Sequence, residues 1–394
     1  MFSSRTEWDL ARNRYTEVLD QQRQAGREVL DLTASNPTTI GLQYGDDHLL
    51  RALANREALR YQPTQQGLSS ARAAIAEYYQ EQGIRVAADD LILTTSTSEA
   101  YSFVFRLLCN PGDTVLIPAP SYPLFDFLAE LNDVKLASYE LVYDHGWQID
   151  FQSLQNARRK AESQGSRCRA VMALHPNNPT GNYVKPHEAI ELSSFCAANE
   201  LALIVDEVFL DYSLQSPLPT SFAANAEALT FTLSGLSKIS ALPQMKVAWT
   251  VVSGPAAKKS EALARLEVIA DTYLSMNAPV QYAIPEMLAQ RHGIQQQLMQ
   301  RVRTNLAVLD TELARQSLCK RLAVDGGWYV LLRVPVLGSD EDLVVAMLSA
   351  TGVLLQPGHF YNFPSDGHLV ASLITPSDEF SRGIAAALSF ISHR

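Results

Sequence analysis

Between residues 91 and 254, short apolar runs alternate with longer stretches of helical periodicity. LILTTS (91–96) reads as a strand, SEAYSFVFRLL (98–108) as a helix, and TVLIPAP (114–120) as a strand ended by prolines. The series continues through VKLASYELV (134–142), RAVMALHP (169–176), LALIVDEVF (201–209), ALTFTLS (228–234) and KVAWTVVSG (246–254). Helices are predicted over SYPLFDFLAEL, near 150–163 and from about 186 to 199. Short β-branched runs separated by helices are what a parallel sheet covered by helices requires. The pattern therefore predicts an α/β three-layer sandwich around a mostly parallel seven-stranded sheet. Polar residues gather at the strand exits, where an open α/β sheet binds its ligand.

Past about residue 275 the pattern changes. A long helical stretch, roughly 279–316, leads into shorter strands at WYVLLRV (328–334), GVLLQP (352–357) and HLVASLI (368–374), then a final helix over 377–391. This predicts a smaller α+β domain. An amphipathic N-terminal helix followed by the strand-like DLTAS (31–35) joins it. The expected division is a large domain over 46–290, with 1–45 and 291–394 forming an N-terminal arm and a small C-terminal domain.

Composition narrows the function. With 47% hydrophobic and 19% charged residues in a chain of 394, there is enough apolar material for a large core. A net charge of −10 argues against nucleic acid or an anionic membrane as partner, since such faces need clustered Lys and Arg. No run of about 18 apolar residues reads as a spanning helix, and the polar N-terminus does not read as a secretory signal. Cys109, Cys168, Cys196 and Cys319 lie far apart, without the spacing of a zinc site. They read as reduced thiols of a cytoplasmic protein, and no metal is expected.

Three short motifs carry candidate chemistry. In SGLSKISALPQMKVAW (234–249), Lys238 sits in a Ser- and Gly-rich turn between two strands rather than on a charged helix face. Partial desolvation there lowers the pKa of an ammonium, as an imine-forming amine needs. In LHPNNPTG (174–181), Asn177 to Gly181 supply turn chemistry after a strand. In IVDEVF (204–209), an apolar strand meets two carboxylates, and a lone Asp206 at its end would be expensive to bury without a cation or a protonated ring nitrogen. Glu207, next along the strand, points to the opposite face and reads as structural. The order and spacing of NNPTG, DE and SK are far more specific than any one of the three.

Together these motifs, with a basic residue eight positions after Lys238, resemble the class I/II aminotransferases, fold type I of the pyridoxal-phosphate enzymes, from about Asp31 to the C-terminus. The resemblance implies pyridoxal 5'-phosphate as cofactor. It implies that Lys238 holds it as an imine and then shuttles a proton, while Asp206 pairs with the pyridinium nitrogen and keeps the ring an electron sink. It further implies that Asn178 bonds the phenolic oxygen, that Tyr122 stacks on the ring, and that Ser96, Thr97, Ser98, Ser237 and Lys246 hold the phosphate. Tyr61 resembles a tyrosine that reaches the neighbouring subunit's phosphate, implying a homodimer with shared sites. The implied substrates are small molecules, an amino acid and a 2-oxo acid. β-Elimination or carbon–sulfur cleavage on the same scaffold, and an inactive or regulatory scaffold, are the alternatives.

Four positions depart from the family pattern. Phe209 stands where a tyrosine often bonds the phenolic oxygen, Lys246 replaces an arginine, and Gly235 replaces a phosphate-binding serine. The family's carboxylate-clamping arginine falls at Val370, or at His368 if the register slips by two. Asn36, His359 and Tyr361 are the candidate substrate-binding replacements, with Tyr273 a further one from across a dimer interface. Each also has a plain structural use: Asn36 as a turn cap, Tyr361 and Tyr273 as core aromatics, His359 as a loop histidine. Arg333, closing an apolar strand, reads as a surface or ion-pair residue.

Overall fold

A two-residue strand, Leu30–Asp31 (β1), precedes the main sheet. Eight strands build that sheet: Leu91–Thr94 (β2), Thr114–Ala119 (β3), Lys135–Tyr143 (β4), Trp147–Ile149 (β5), Cys168–Leu174 (β6), Ala202–Asp206 (β7), Thr230–Gly235 (β8) and Ala248–Ser253 (β9). Their spatial order is β2-β9-β8-β7-β6-β3-β4-β5. The run β8-β7-β6-β3-β4 is parallel, β9 is antiparallel to both neighbours, and β5 is an antiparallel edge strand returning from β4. The structure, a computed structural model, describes residues 1–45, 47–274, 276–336 and 338–394. The eighth strand, beyond the seven expected, is β5, whose three residues are too few to show a periodicity.

Apolar runs without alternation follow from burial on both faces. Every residue of β7 is buried. Ala202 and Ile204 join the core on the side of the helix Thr97–Leu108, whereas Leu203 and Val205 face the core that contains Leu154 and Leu192. The first of these faces also carries the side chain of Asp206, two residues past Ile204.

The remaining strands are Lys320–Arg321 (β10), Tyr329–Arg333 (β11), Val353–Leu354 (β12), Gln356–Pro357 (β13) and His368–Ser372 (β14). They form a four-stranded antiparallel sheet, β10-β11-β14-β13, and a parallel pair of β1 with β12. The run expected as one strand over 352–357 thus divides between two sheets at Leu355. The helical stretch expected over 279–316 is two helices, Ala278–Ala289 and Arg291–Leu313, meeting at Gln290. The N-terminal helix Arg14–Gln24 packs on Asp340–Thr351, and Arg291–Leu313 packs on the final helix Ser377–Ser392. No helix among the described residues is long and apolar enough to cross a membrane.

Candidate active site

The strand ends of β6, β7 and β8 form one wall of the cleft. β7 ends on Asp206, and the loop leaving β6 is tied to it, because the His175 amide donates to the Asp206 carbonyl at 2.8 Å. Asp206 is buried. Its Oδ2 accepts from the Tyr101 hydroxyl at 2.8 Å and its Oδ1 from the Val208 amide at 3.0 Å. These bonds and the nearby Lys238 favour the carboxylate, but burial outweighs them and raises its pKa. Asp206 therefore retains an unmet demand for a positive partner.

Lys238 lies on a one-turn helix, Leu236–Ile239, directly after β8. The turn is pinned twice: the Leu236 amide donates to the Val247 carbonyl at 3.0 Å, and the Tyr212 hydroxyl to the Lys238 carbonyl at 2.6 Å. Gly235 before it is an extended residue against β9, where a Cβ would stand 2.7 Å from the Val247 carbonyl oxygen. That approach explains why serine is absent there. The Lys238 ammonium lies 4.8 Å from the Trp328 ring centroid and 5.4 Å from that of Phe209. Burial pulls its pKa down to about 8, while Asp206 opposes the shift. A free-amine fraction thus exists near neutral pH.

Asn178 is buried on the loop after β6, and its Oδ1 has no hydrogen-bond partner. A buried amide oxygen left open costs free energy unless something else fills the site. The loop is held by Gly181, whose φ of +71° suits glycine and whose Cβ would stand 2.5 Å from a Val324 methyl. Neighbouring Glu207 points away from Asp206 as expected. It accepts from the Ser221 hydroxyl and the Phe222 amide, both at 2.6 Å, and burial raises its pKa to about 8.

Ser96 caps the helix Thr97–Leu108 by accepting from the Glu99 amide at 3.1 Å. The Ala100 amide bonds the Ser96 carbonyl, so Thr97 and Ser98 carry the first-turn amides available to an anion. Tyr101, which holds Asp206, sits on the same helix, so this terminus and the carboxylate share one scaffold. Tyr122 follows β3 and is 37% exposed; its ring lies 5.8 Å from that of Phe125, which packs against Tyr101, the partner of Asp206, and partial burial and then Asp206 raise its hydroxyl pKa. Ser237 adjoins Lys238.

Lys246 is exposed in a left-handed turn, and Tyr61 is 78% exposed. Asn36 is exposed and caps the 3-10 turn Pro37–Thr39, accepting from the Thr38 amide at 3.0 Å. His359 is exposed with its ring against Phe360. Tyr361 is buried, donates to Gln356 Oε1, and takes the Ser121 amide on its carbonyl at 2.9 Å. The Tyr273 ring lies tilted against that of Phe103 at 5.3 Å, and its hydroxyl accepts from Arg106. Val370 is wholly buried in β14, and His368 stacks on Phe363 at 4.5 Å. Arg333 is exposed. The motifs did not reveal Tyr101, Trp328, Tyr212 or Tyr329. Tyr101 alone had a signal, standing one helical turn past the Ser96–Ser98 cap.

The family description "Aminotransferase class I and II" matches residues 10–378. The chain belongs to that family of aminotransferases. It is 27% identical to a glutamate-pyruvate aminotransferase, AlaA, of Haemophilus influenzae, over 93% of this chain and 91% of that protein. It is 26% identical to an alanine aminotransferase of Mycobacterium tuberculosis, over 92% of this chain and 84% of that protein. Among solved structures, an alanine aminotransferase from Pyrococcus furiosus superposes with a TM-score of 0.89 at 22% identity, covering 100% of both chains, and shares the fold.

Proposed function

We propose that this aminotransferase moves an amino group between an amino acid and a 2-oxo acid with the help of pyridoxal 5'-phosphate, which Asp206 and Lys238 would hold. The observation that carries the reading is the pairing of Lys238, its pKa drawn down to about 8, with a buried Asp206 short of a cation on the adjacent strand. The residues fit the group: Asp206 suits a protonated ring nitrogen, the Asn178 amide N–H as donor a ring oxygen, and the Thr97 and Ser98 amides with Ser237 a phosphate. When bound, the cofactor supplies an electron sink for the carbon that bears the amino group.

The protein's own residues do the remaining work. Lys238 Nζ, once free, takes a proton from the substrate carbon and returns it, which a pKa near neutrality suits. Asp206 holds its proton partner in place, and Tyr101 fixes the carboxylate's orientation. Tyr122 covers the cleft from the β3 side. Trp328 and Phe209 exclude water around the amine.

The exposed Tyr61, with Leu59 and Leu274 also exposed, supports a homodimer in which Tyr61 serves the partner's site. We read the chain as a cofactor-binding unit over 46–290 and a closing unit from 1–45 and 291–394, acting in the cytoplasm. Incubation with an amino acid should yield its oxo acid in stoichiometric amount without acceptor, and catalytically with one. Release of ammonia instead would refute amino transfer.

A further inference from the structure

A carboxylate entering a water-poor cleft needs a cation or strong donors, because an unpaired buried charge is costly. Around the amine, Lys238 and Asp206 are the charged pair, and on the facing strand Tyr329–Arg333 the one charged residue is Arg333, four positions from Tyr329. The opposite wall is the four-stranded sheet. Alternation puts Tyr329, Leu331 and Arg333 of β11 on one face, in register with Ser372, Val370 and His368 of β14, and Gln356 of β13 lies beside Val370. The Tyr329 ring stands 6.3 Å from that of Phe209, which contacts Lys238, so the Tyr329 end of this face looks at the amine.

That end is polar and uncharged. Tyr361 donates to Gln356, and its carbonyl holds the amide of Ser121, the residue before Tyr122. The hydroxyls of Tyr122 and Tyr329 have no hydrogen-bond partner among the described residues. Burial raises the pKa of all three phenols, so each stays neutral; the Tyr361 proton is committed to Gln356, which leaves the Tyr122 and Tyr329 hydroxyls as donors. Arg333 and His368 stand at the other end of the face, where with Trp147 and Phe363 they line a cavity of about 410 Å³ that Pro120 and Asn362 border.

We propose that Tyr122, Tyr329, Tyr361 and Gln356 form the subsite for the group attached to the amine-bearing carbon, and that this subsite accepts an uncharged amide or hydroxyl there as readily as a carboxylate. The inference rests on the reading of Lys238 as the amine that handles substrate. It widens the donor class from amino acids to amino amides and amino alcohols.

The full-length protein loaded with pyridoxal phosphate is assayed with L-alanine, L-alaninamide and L-alaninol against one oxo acid. Equilibrium binding of propionate and propionamide is followed in parallel by tryptophan fluorescence. Expected kcat/KM and Kd values differ by less than about tenfold between charged and neutral members. A carboxylate preference of about a hundredfold or more, the size expected when a buried charge meets a cation from any source, overturns the proposal. Tyr361→Phe and Tyr329→Phe are each expected to weaken propionamide binding about three- to tenfold; unchanged binding in both also overturns it. The binding arm needs no chemistry. It therefore decides the subsite even if Lys238→Ala leaves the visible absorbance intact, the result that would sink the reading of Lys238 instead.

Discussion

On the wall made by β6, β7 and β8, a half-buried lysine and a buried carboxylate lie near each other, with two hydrogen bonds to the acid and aromatic rings around the amine. The sheet of β11, β13 and β14 puts Tyr329, Leu331, Val370 and Gln356 on one face, with the Tyr329 ring 6.3 Å from that of Phe209 and Arg333 and His368 at the far end. The first wall holds groups whose ionisation burial disfavours, and such groups cluster where chemistry requires them. The second holds groups that stay neutral and can only donate, accept or exclude. On the proposed reading, reactivity belongs to the first wall and selection to the second.

The largest effect should come from removing the amine. Lys238→Ala is expected to lower kcat about ten-thousandfold or more and to abolish the Lys-dependent visible band, with folding retained because a buried ammonium is lost rather than gained. Because burial lowers the Lys238 pKa, loading of cofactor-free protein should quicken as pH rises and level off above about 8. A rate independent of pH across that range would mean the amine is not the reacting group.

Next in size is Asp206→Asn, which keeps a hydrogen-bond partner for Tyr101 but removes the charge. Activity should fall on the order of a hundredfold, and the cofactor-free protein should gain stability at pH 8, since burial raises the native carboxyl's pKa. Glu207 supplies the control on the same strand end. Its pKa rises from 4.5 to about 8 on burial, so the folded state keeps a proton that the unfolded chain has released. Its contribution therefore weakens as pH climbs from about 4.5 to about 8. Glu207→Gln should add about 1–3 kcal/mol at pH 8.5 and change little at pH 5, where the native acid is already neutral, as urea unfolding at the two pH values would show. Activity should be nearly untouched, separating the two adjacent acids by role.

The two walls also differ in how far the sequence exposed them. Lys238, Asp206 and Asn178 were legible because each is a polar residue placed where an apolar strand ends, so its cost of burial is written into the local pattern. The parallel strands were legible for the same reason, as unbroken apolar runs. The facing wall was not, because Tyr329 and Trp328 read as ordinary core aromatics of a short strand, and only the β11–β14 register turns Tyr329 toward Phe209. β5 was missed through brevity, and the division of 352–357 between two sheets depends on partners far away in the chain. Asn36 illustrates a residue type with two uses: its side chain caps Pro37–Thr39, the purely local role.

Phe209 is where the walls meet, 5.4 Å from the Lys238 amine, with its ring 5.1 Å from that of Trp328 and 6.3 Å from that of Tyr329. Phe209→Tyr would place a hydroxyl in an aromatic enclosure that offers it no evident protein acceptor. In the cofactor-free protein this should cost about 1 kcal/mol, since an unpaired buried hydroxyl loses its hydration. With cofactor loaded, the hydroxyl gains a partner on the ring oxygen and the cost should disappear, so the rise in Tm on loading should be larger for the variant than for the parent. The same bond should lower by about one unit the pH at which the visible band titrates, because it competes with the proton on the lysine nitrogen for the oxygen's charge. Equal Tm increments and an unshifted titration would mean that position 209 faces only the second wall, and that its aromatic ring serves packing against Trp328 rather than the chemistry of the amine.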